Sequence, residues 1–360
     1  HNIDQIKPTI MKTTLIGLLL ILLTCFFSEH TFSQDIHFSQ LTMSPLTYNP
    51  GMTGKFFGDV RGLVNYKTQW NSAGSPYTTF AMAYDMKLNE KKWNNGFIGF
   101  GFLAFRDKAG DTHYGNTTLD ISVSGIVLIN STQSISGGIQ GGISQTGFST
   151  DDLIWDEQYV NGVYDPSNPN GESLDLSPSI NGDIGAGVTW HYFTDKTNMV
   201  SNDQFNLIVG AAVTHINRPE LKYYTGNEER LYRKIAFNVE AISGVKGTNI
   251  ALAPSAVVLL QGPSQEINLG VLIRYMLKEG SKYTGIYKES AISFGTHYRV
   301  GDAIIPSVLL EVGSYAIGIG YDVNISKLKS ATLSRGGMEI SLRLINPNPF
   351  IYRRVSKSLL

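Results

Sequence analysis

Apolar and polar residues alternate along most of this chain in segments of roughly ten residues. In the clearest segment, 313–323, one face is apolar, with an aromatic residue at each end. That face consists of Tyr315, Ile317, Ile319 and Tyr321. Aliphatic residues flanked by tyrosines are typical of a strand that faces lipid and has its aromatic residues at the headgroup layers. We predict that this segment is one strand of a closed transmembrane barrel.

The same alternation recurs from residue 60 to residue 345. The predicted strands are 60–67, 77–86, 96–105, 115–128, 133–148, 181–192, 205–213, 235–241, 249–260, 266–276, 291–299, 303–312, 313–323 and 337–345. An even strand number is usual for bacterial outer-membrane barrels. The pattern therefore predicts an all-β fold: a transmembrane antiparallel β-barrel of about 14 strands, over residues 59–345.

Connection lengths suggest how the barrel is oriented. If both ends of the barrel are periplasmic, the connections after odd-numbered strands face outward, and these include the long segments 149–180, 218–230 and 324–335. Long external loops and short periplasmic turns are the rule in such barrels. Segments 87–95 and 194–204 are longer than this rule predicts.

The segments before and after the barrel differ in character. Residues 11–33 have a basic start, the apolar run Leu15 to Phe27 and small residues before Gln34, which predicts a secretory signal peptide. Residues 1–10 lack that character and are predicted to precede the true start. Residues 34–58 have prolines but no strand period, so we predict an irregular N-terminal arm. Residues 346–360 form a basic C-terminal tail.

Composition narrows the class of protein. The 360 residues carry a formal net charge of -1, without the basic excess that nucleic-acid binding requires. The single cysteine, Cys25, lies in the predicted signal peptide, so the mature chain has no disulfide. The 37 glycines and many aromatic residues suit a barrel of short strands, but also a secreted β-sandwich. The sandwich would be soluble without detergent.

Charged residues within the strands are predicted to point into the barrel. A Lys or Arg facing lipid at the bilayer midplane costs about 2–4 kcal/mol. The alternation places five charged residues on inward faces: Arg61, Asp120, Arg274, Glu339 and Arg343. They predict a polar, hydrated lumen, either a selective pore or a charge network that braces the interior.

Candidate chemistry is sparse. The loop 151–175 is acidic and contains Trp155, a possible partner contact. Its carboxylates could bind calcium, but their spacing does not match an EF-hand, so we favour a solvated external loop. The sequence has no nucleophile elbow, zinc-protease or P-loop motif. We expect no enzymatic activity, no metal and no cofactor.

An ordered set of short motifs resembles the PorP/SprF family of Bacteroidetes outer-membrane proteins. The opening motifs are Phe38-Ser39-Gln40, Pro45-Leu46-x-Tyr48-Asn49-Pro50, Gly54, Arg61, Tyr66-x-x-Gln69-Trp70 and Pro76. The later motifs are Asp107-Lys108-Ala109-Gly110, His215-x-Asn217-x-Pro219, Pro254-Ser255, Gly318-x-Gly320-Tyr321-Asp322 and Glu339-Ile340-Ser341-Leu342. The resemblance spans nearly the whole predicted mature chain.

This resemblance implies an outer-membrane barrel of the type IX secretion system, in some members associated with gliding motility. The implied partners are the lipid bilayer, a secreted adhesin or other substrate, and further secretion components, some of them periplasmic. We predict a docking or anchoring role for the chain. The alternative is a general diffusion porin for small solutes.

The candidate partner-binding residues are irregular or aromatic and lie before or beside the first strand. They are Phe38, Ser39, Gln40, Tyr48, Asn49, Pro50, Gln69 and Trp70, together with Trp155. The arm residues among them could instead close the floor of the barrel.

Overall fold

The computed structural model describes residues 35–72, 75–89, 93, 95–110, 114–147, 154–169, 171, 178–194, 202–221, 229–278, 289–327 and 329–346. The predicted signal peptide, the residues before it and the tail beyond residue 346 lie outside these ranges.

Fourteen antiparallel strands form one closed barrel, in which the first strand pairs with the last. Their bounds are β1 Val60–Gln69, β2 Tyr77–Leu88, β3 Gly96–Ala109, β4 Tyr114–Leu128, β5 Gln133–Gly147, β6 Ser179–Thr194, β7 Phe205–Thr214, β8 Lys234–Gly244, β9 Ile250–Gln261, β10 Ser264–Lys278, β11 Ser290–Arg299, β12 Ala303–Val312, β13 Tyr315–Asn324 and β14 Arg335–Asn346. The predicted fold and strand number are confirmed.

The strands differ from the prediction mainly at their ends. β3 continues to Ala109 and pairs through Asp107 and Lys108, whereas hydrophobic alternation ends at Phe105. A ladder needs only backbone groups, so it extends past the lipid-facing segment that the alternation marks.

The inside and outside faces follow the alternation. On β13, Ile317 and Ile319 are 46% and 51% exposed, while Ala316 between the strand's outward residues is 3% exposed. On β4, Ile121 is 52% exposed and its neighbour Asp120 is 4% exposed. The half-exposed apolar residues therefore form the lipid-facing wall.

The two ends of the barrel are distinguished by their connections. Asp59 and Asn346 lie together at one end, where the backbone N–H of Asp59 donates to the carbonyl of Asn346. The opposite end carries the long connections 148–178 and 215–233. Long loops are extracellular in such barrels, so we call this opposite end the external end and the other the periplasmic end.

The remaining elements are short. Two-residue ladders join Tyr159–Val160 to Val163–Tyr164 and Glu220–Leu221 to Glu229–Arg230. One helical turn, α1, spans Lys329–Thr332, and 3-10 turns occur at 41–43, 45–47, 50–52 and 156–158. Among the described residues no helix has the length and apolar character required to cross a membrane.

A charge on the lipid face of β13 should destabilise the barrel according to its depth. Ile319 lies in the middle of the strand and Tyr315 at its periplasmic end. We expect Ile319→Lys to lower the free energy of unfolding by about 2–4 kcal/mol and Tyr315→Lys by about 0–1 kcal/mol. Urea unfolding of the protein in lipid vesicles measures both. Equal losses would contradict the assignment of the lipid-facing wall.

Candidate functional site

The N-terminal arm, residues 35–58, runs through the inside of the barrel from the external end to the periplasmic end. Asp35 contacts His215 and Lys234, at the external ends of β7 and β8. Near the other end of the arm, Lys55 Nζ lies 2.5 Å from the hydroxyl of Ser134, at the periplasmic start of β5. The chain then enters β1 at Val60. The contacts between the arm and the barrel wall form the candidate functional site.

The start of the arm is held by a group that we call the external clasp: Asp35, Asp183, His215, Lys234 and Gln261. Asp35 Oδ2 lies 2.6 Å from His215 Nε2 and 3.0 Å from Lys234 Nζ. The backbone N–H of Asp35 donates to Gln261 Oε1 over 3.1 Å. The other ring nitrogen of His215 lies 2.9 Å from Asp183 Oδ2. His215 has φ +56°, which Asn, Asp and His adopt more readily than other side chains.

The two carboxylates determine the charge of His215, which lies just after β7. Burial alone would lower its pKa, but Asp35 and Asp183 outweigh burial and raise the pKa from 6.5 to about 9. In the same way, burial would raise the pKa of Asp35, yet the charges of Lys234 and His215 hold that pKa well below its ordinary value. The external clasp therefore contains an ion pair at neutral pH.

Glu339 on β14 binds the backbone of the arm. Its carboxylate accepts the N–H of Ser39 at 2.6 Å and the N–H of Gln40 at 3.0 Å. The side-chain amide of Gln40 returns a hydrogen bond to the carbonyl of Glu339. Glu339 is fully buried, so both of these arm donors exchange water for a charged acceptor.

Ser39 also joins two charged residues of the wall. Its hydroxyl donates to Asp322 over 2.8 Å and accepts from Arg299 over 2.7 Å. Arg299 in turn lies 3.0 Å from Asp322, and Lys67 lies 3.6 Å from the same carboxylate. Buried charges are stable only when they are paired and hydrogen-bonded; the wall supplies the ion pairs here, and the arm adds two hydrogen bonds to them.

The middle of the arm makes neutral and charge-assisted hydrogen bonds. The Tyr48 hydroxyl donates to Glu240 over 2.6 Å. The Asn49 amide donates to Asn238 over 2.9 Å, while its oxygen accepts the N–H of Gly51 and thereby caps the 3-10 turn at 50–52.

The periplasmic part of the arm is held by Arg61 and Asp85. Arg61 donates two hydrogen bonds to Asp85, of 2.9 and 2.8 Å, and a third to the carbonyl of Met52. Asp85 also accepts the N–H of Gly54 over 2.7 Å. Thr53 reaches β4, where its hydroxyl lies 2.8 Å from that of Ser122. The bidentate contact between Arg61 and Asp85 therefore holds the arm against the first two strands.

Three apolar clusters fill the space between these polar contacts. The first joins Leu46 and Met52 to Leu63, Ala83, Leu103 and Ile208; the second joins Leu41 and Tyr48 to Ala212, Ala236 and Val257; the third joins Met43 to Leu309 and Ala316. Each cluster pairs arm residues with wall residues on different strands. The expectation of a polar, hydrated lumen is thus corrected, because the arm brings its own apolar core into the barrel.

Glycines in the wall leave room for the arm backbone. A Cβ atom on Gly318 would overlap the side-chain amide of Gln40, and one on Gly138 would lie 2.6 Å from the carbonyl carbon of Pro50. A Cβ on Gly54, where φ is +72°, would lie 2.8 Å from the Cα of Gly99. The arm therefore packs against bare backbone at several levels of the barrel.

The structure places the predicted partner-binding residues in three locations: inside the barrel, at its external rim, and in the loop between β5 and β6. The buried group, inside the barrel, consists of Phe38, Ser39, Gln40, Tyr48, Asn49 and Pro50. Gln69 and Trp70 are half-buried at the external rim, where the Trp70 ring meets that of Tyr77 edge to face at 4.7 Å. Trp155 is half-buried in the loop between β5 and β6. The buried group contacts the wall of the barrel.

The predicted lumen charges lie inside the barrel but do not form one network. Arg61 and Glu339 bind the arm, as described above. Arg274 and Arg343 instead share Glu311 near the periplasmic end, at 2.6 and 2.7 Å. Asp120 is buried near the external half of β4.

Several residues that hold the arm were not among the predicted site residues. They are Asp35, Lys67, Asp85, His215, Lys234, Glu240, Arg299 and Asp322. The strand residues among them are polar groups on the inward face of the alternation, and this signal could have identified them. The arm residues that pair with them have no such period.

A methyl group on the inward face of β5 should displace the arm. Gly138→Ala would place its Cβ against the Pro50 and Gly51 backbone, whereas Gly137→Ala, next to it on the lipid face, meets no atom within 4 Å. We expect Gly138→Ala to lower the free energy of unfolding by about 1–3 kcal/mol, as overpacking does. Urea unfolding in lipid vesicles compares the two variants, and equal stabilities would show that the arm does not occupy this position.

The external clasp should weaken at alkaline pH. The pKa of His215 is raised in the folded state, so its stabilisation is complete below pH 6.5 and is lost as pH rises through about 9. We expect the wild type to lose more stability between pH 6.5 and 10 than His215→Gln does. Urea unfolding at both pH values measures the difference. His191→Gln is the control because His191 bonds to the amide of Asn206. Parallel pH profiles of wild type and His215→Gln would contradict the clasp.

Solved barrels are similar to the chain in fold at low sequence identity. CymD, a monoaromatic hydrocarbon channel, is 8% identical with a TM-score of 0.45, over 88% of this chain and 96% of CymD. A FadL homologue from Pseudomonas aeruginosa is 11% identical with a TM-score of 0.42, over 82% and 91% of the two chains. BamA from Haemophilus ducreyi lacking POTRA domains 1-3 is 11% identical with a TM-score of 0.40, over 80% and 70%.

The sequence comparison with a protein family is more informative. A comparison with curated proteins finds no match. The family described as type IX secretion system membrane protein PorP/SprF matches residues 30–344, which include the arm and all but the last two residues of the barrel. The chain therefore belongs to the PorP/SprF family of type IX secretion system membrane proteins, and it is a β-barrel of the outer membrane.

Proposed function

We propose that this protein is a closed, non-enzymatic barrel that docks or anchors a secreted surface protein of the adhesin type, or contacts another component of the secretion machine. The observation that carries the proposal is the arm, which fills the barrel and is fastened along its whole length. The barrel then serves as a membrane anchor, and the partner protein binds at the surfaces that remain exposed.

The arm argues against the alternative of a general diffusion porin. A porin requires a continuous water-filled channel. Here three apolar clusters and the contacts of Glu339 and Arg61 occupy the interior from the external half to the periplasmic half. Opening such a channel would require the loss of these contacts together.

The position of the arm inside the barrel gives the predicted contact residues two different roles. Ser39, Gln40 and Asn49 are each at most 5% exposed, so they act by keeping the arm in place. Direct contact with a secreted protein then falls to the external rim and loops, where Trp70 and Trp155 lie. A docking role also agrees with membership of a secretion-system family.

Deletion of residues 35–54 should open the barrel. We expect the wild type to show no stable single-channel conductance in planar bilayers and the deletion variant to show stable currents, because the interior would fill with water. Heat-modifiable gel mobility is the control that the deleted barrel still assembles. Wild-type currents as large as those of the deletion variant would contradict a closed barrel.

The docking role is tested in cells that lack the protein. We expect the type IX-secreted surface protein to appear in the medium instead of on the cell, and the wild-type chain to restore its retention. Unchanged secretion and retention in the absence of the barrel would overturn the proposed function.

A further inference from the structure

The loop between β5 and β6 contains a small folded unit, which we call the external hairpin, residues 154–169. The two-residue strands Tyr159–Val160 and Val163–Tyr164 pair across a turn at Asn161 and Gly162. Both turn residues have positive φ, of 54° and 80°. An Asn-Gly turn of this kind is the commonest connection of a tight hairpin, so the sequence itself specifies the local fold.

Gln158 holds the external hairpin together. It is 8% exposed, and its side chain accepts the N–H of Trp155 over 3.2 Å and donates to the carbonyl of Asn168 over 3.3 Å. Its carbonyl accepts the N–H of Asp165 over 2.9 Å. The hairpin is therefore organised by its own hydrogen bonds and does not depend on a partner for its shape.

The large apolar side chains of the external hairpin point into solvent. The exposed fractions are 61% for Ile154, 48% for Tyr159, 52% for Val160, 68% for Val163 and 38% for Tyr164. Apolar residues on the strands are exposed because they face lipid. The external hairpin lies beyond the external end of β5, so contact with lipid does not account for its exposed apolar residues. A clustered apolar surface on an organised loop marks an interaction site, and its rigidity lowers the entropy lost on binding.

The charged residues of this loop are all acidic. Asp156, Glu157 and Asp165 lie in the external hairpin, and residues 148–178 contain seven acidic residues with no Lys, Arg or His. Ser167 donates two hydrogen bonds to Asp165, of 2.9 Å from its N–H and 2.6 Å from its hydroxyl, which fixes one carboxylate beside Tyr164. A basic partner is attracted to this surface, while an anionic membrane surface repels it.

We propose that the external hairpin is the docking surface for a segment of the secreted partner in which lysine or arginine residues alternate with aromatic or β-branched residues. The apolar side chains of that segment pack on Tyr159, Val160 and Val163, and its cations pair with the surrounding carboxylates. This inference rests on the proposed docking function and names the chemistry of its partner.

Synthetic peptides test this chemistry on the full-length protein in detergent, with fluorescence anisotropy as the readout. The probes are Lys-Tyr-Lys-Val-Lys-Tyr-Lys, the same peptide with Glu for every Lys, and the same peptide with Ser for Tyr and Val. We expect the first probe to bind at least about tenfold more tightly than the other two, and to weaken as salt rises. Equal binding of the three probes would overturn the proposal.

Variants of the hairpin locate the binding. We expect the pair Val160→Ser and Val163→Ser to weaken the first probe about tenfold. The pair Asp156→Asn and Glu157→Gln should weaken it and reduce its salt dependence. Val300→Ser is the matched control, because Val300 is 48% exposed in the turn between β11 and β12 at the same end of the barrel. Hairpin variants that bind like this control would overturn the proposal.

Retention of the secreted surface protein in cells separates the two levels of the argument. If removal of the barrel releases that protein and the hairpin variants do so as well, the inference is supported. If removal releases it but the hairpin variants retain it, the inference fails while the proposed function stands. If removal of the whole barrel changes nothing, both fail.

Discussion

The structure depends on one constraint: polar groups of the arm that are buried in the barrel need hydrogen-bond partners, either on the wall or within the arm itself. Two buried carboxylates meet this need for the backbone, Glu339 at Ser39 and Gln40, and Asp85 at Gly54. An unsatisfied buried N–H costs about 1–3 kcal/mol. The inward carboxylates Glu339 and Asp85 are therefore explained by the arm that they bind.

Buried charges of the wall in turn contact the arm. Lys67, Arg299 and Asp322 form a buried group of charges on three strands, and the hydroxyl of Ser39 lies between two of them. Removing one member of such a group leaves a buried charge without its partner, which is strongly destabilising. Arm and barrel are therefore coupled through these buried charges, which water would have to solvate in a barrel without the arm.

The sequence predicts the barrel well because lipid imposes a local rule. Outward side chains within the hydrocarbon layer are mostly apolar, so alternation at Ile121 or Ile319 is visible from neighbouring residues alone. The path of the arm follows no local rule. Ser39 and Glu339 are 300 positions apart, and no period connects them. The wall glycine Gly318 is visible in the sequence as a small inward residue, but the atoms that require its smallness, those of Gln40, are not.

The external hairpin shows a different limit of sequence reasoning. Its Asn161-Gly162 turn is a strong local signal, yet the acidic composition of the loop favours the interpretation of a solvated segment. What the sequence could not give is the burial of Gln158 and the outward direction of Tyr159 and Val163. In the proposed docking function, this organised external loop is the place of recognition, outside the membrane.

The central claim is that the arm occupies the interior, and engineered disulfides test it most directly, since the only cysteine lies in the predicted signal peptide. The hydroxyls of Thr53 and Ser122 are 2.8 Å apart, whereas Thr117 lies on the outer face of the same strand. Oxidation of membrane-embedded protein should cross-link Thr53→Cys with Ser122→Cys, detected as loss of maleimide labelling, and leave Thr53→Cys with Thr117→Cys reduced. Equal labelling of the two pairs after oxidation would contradict an arm inside the barrel.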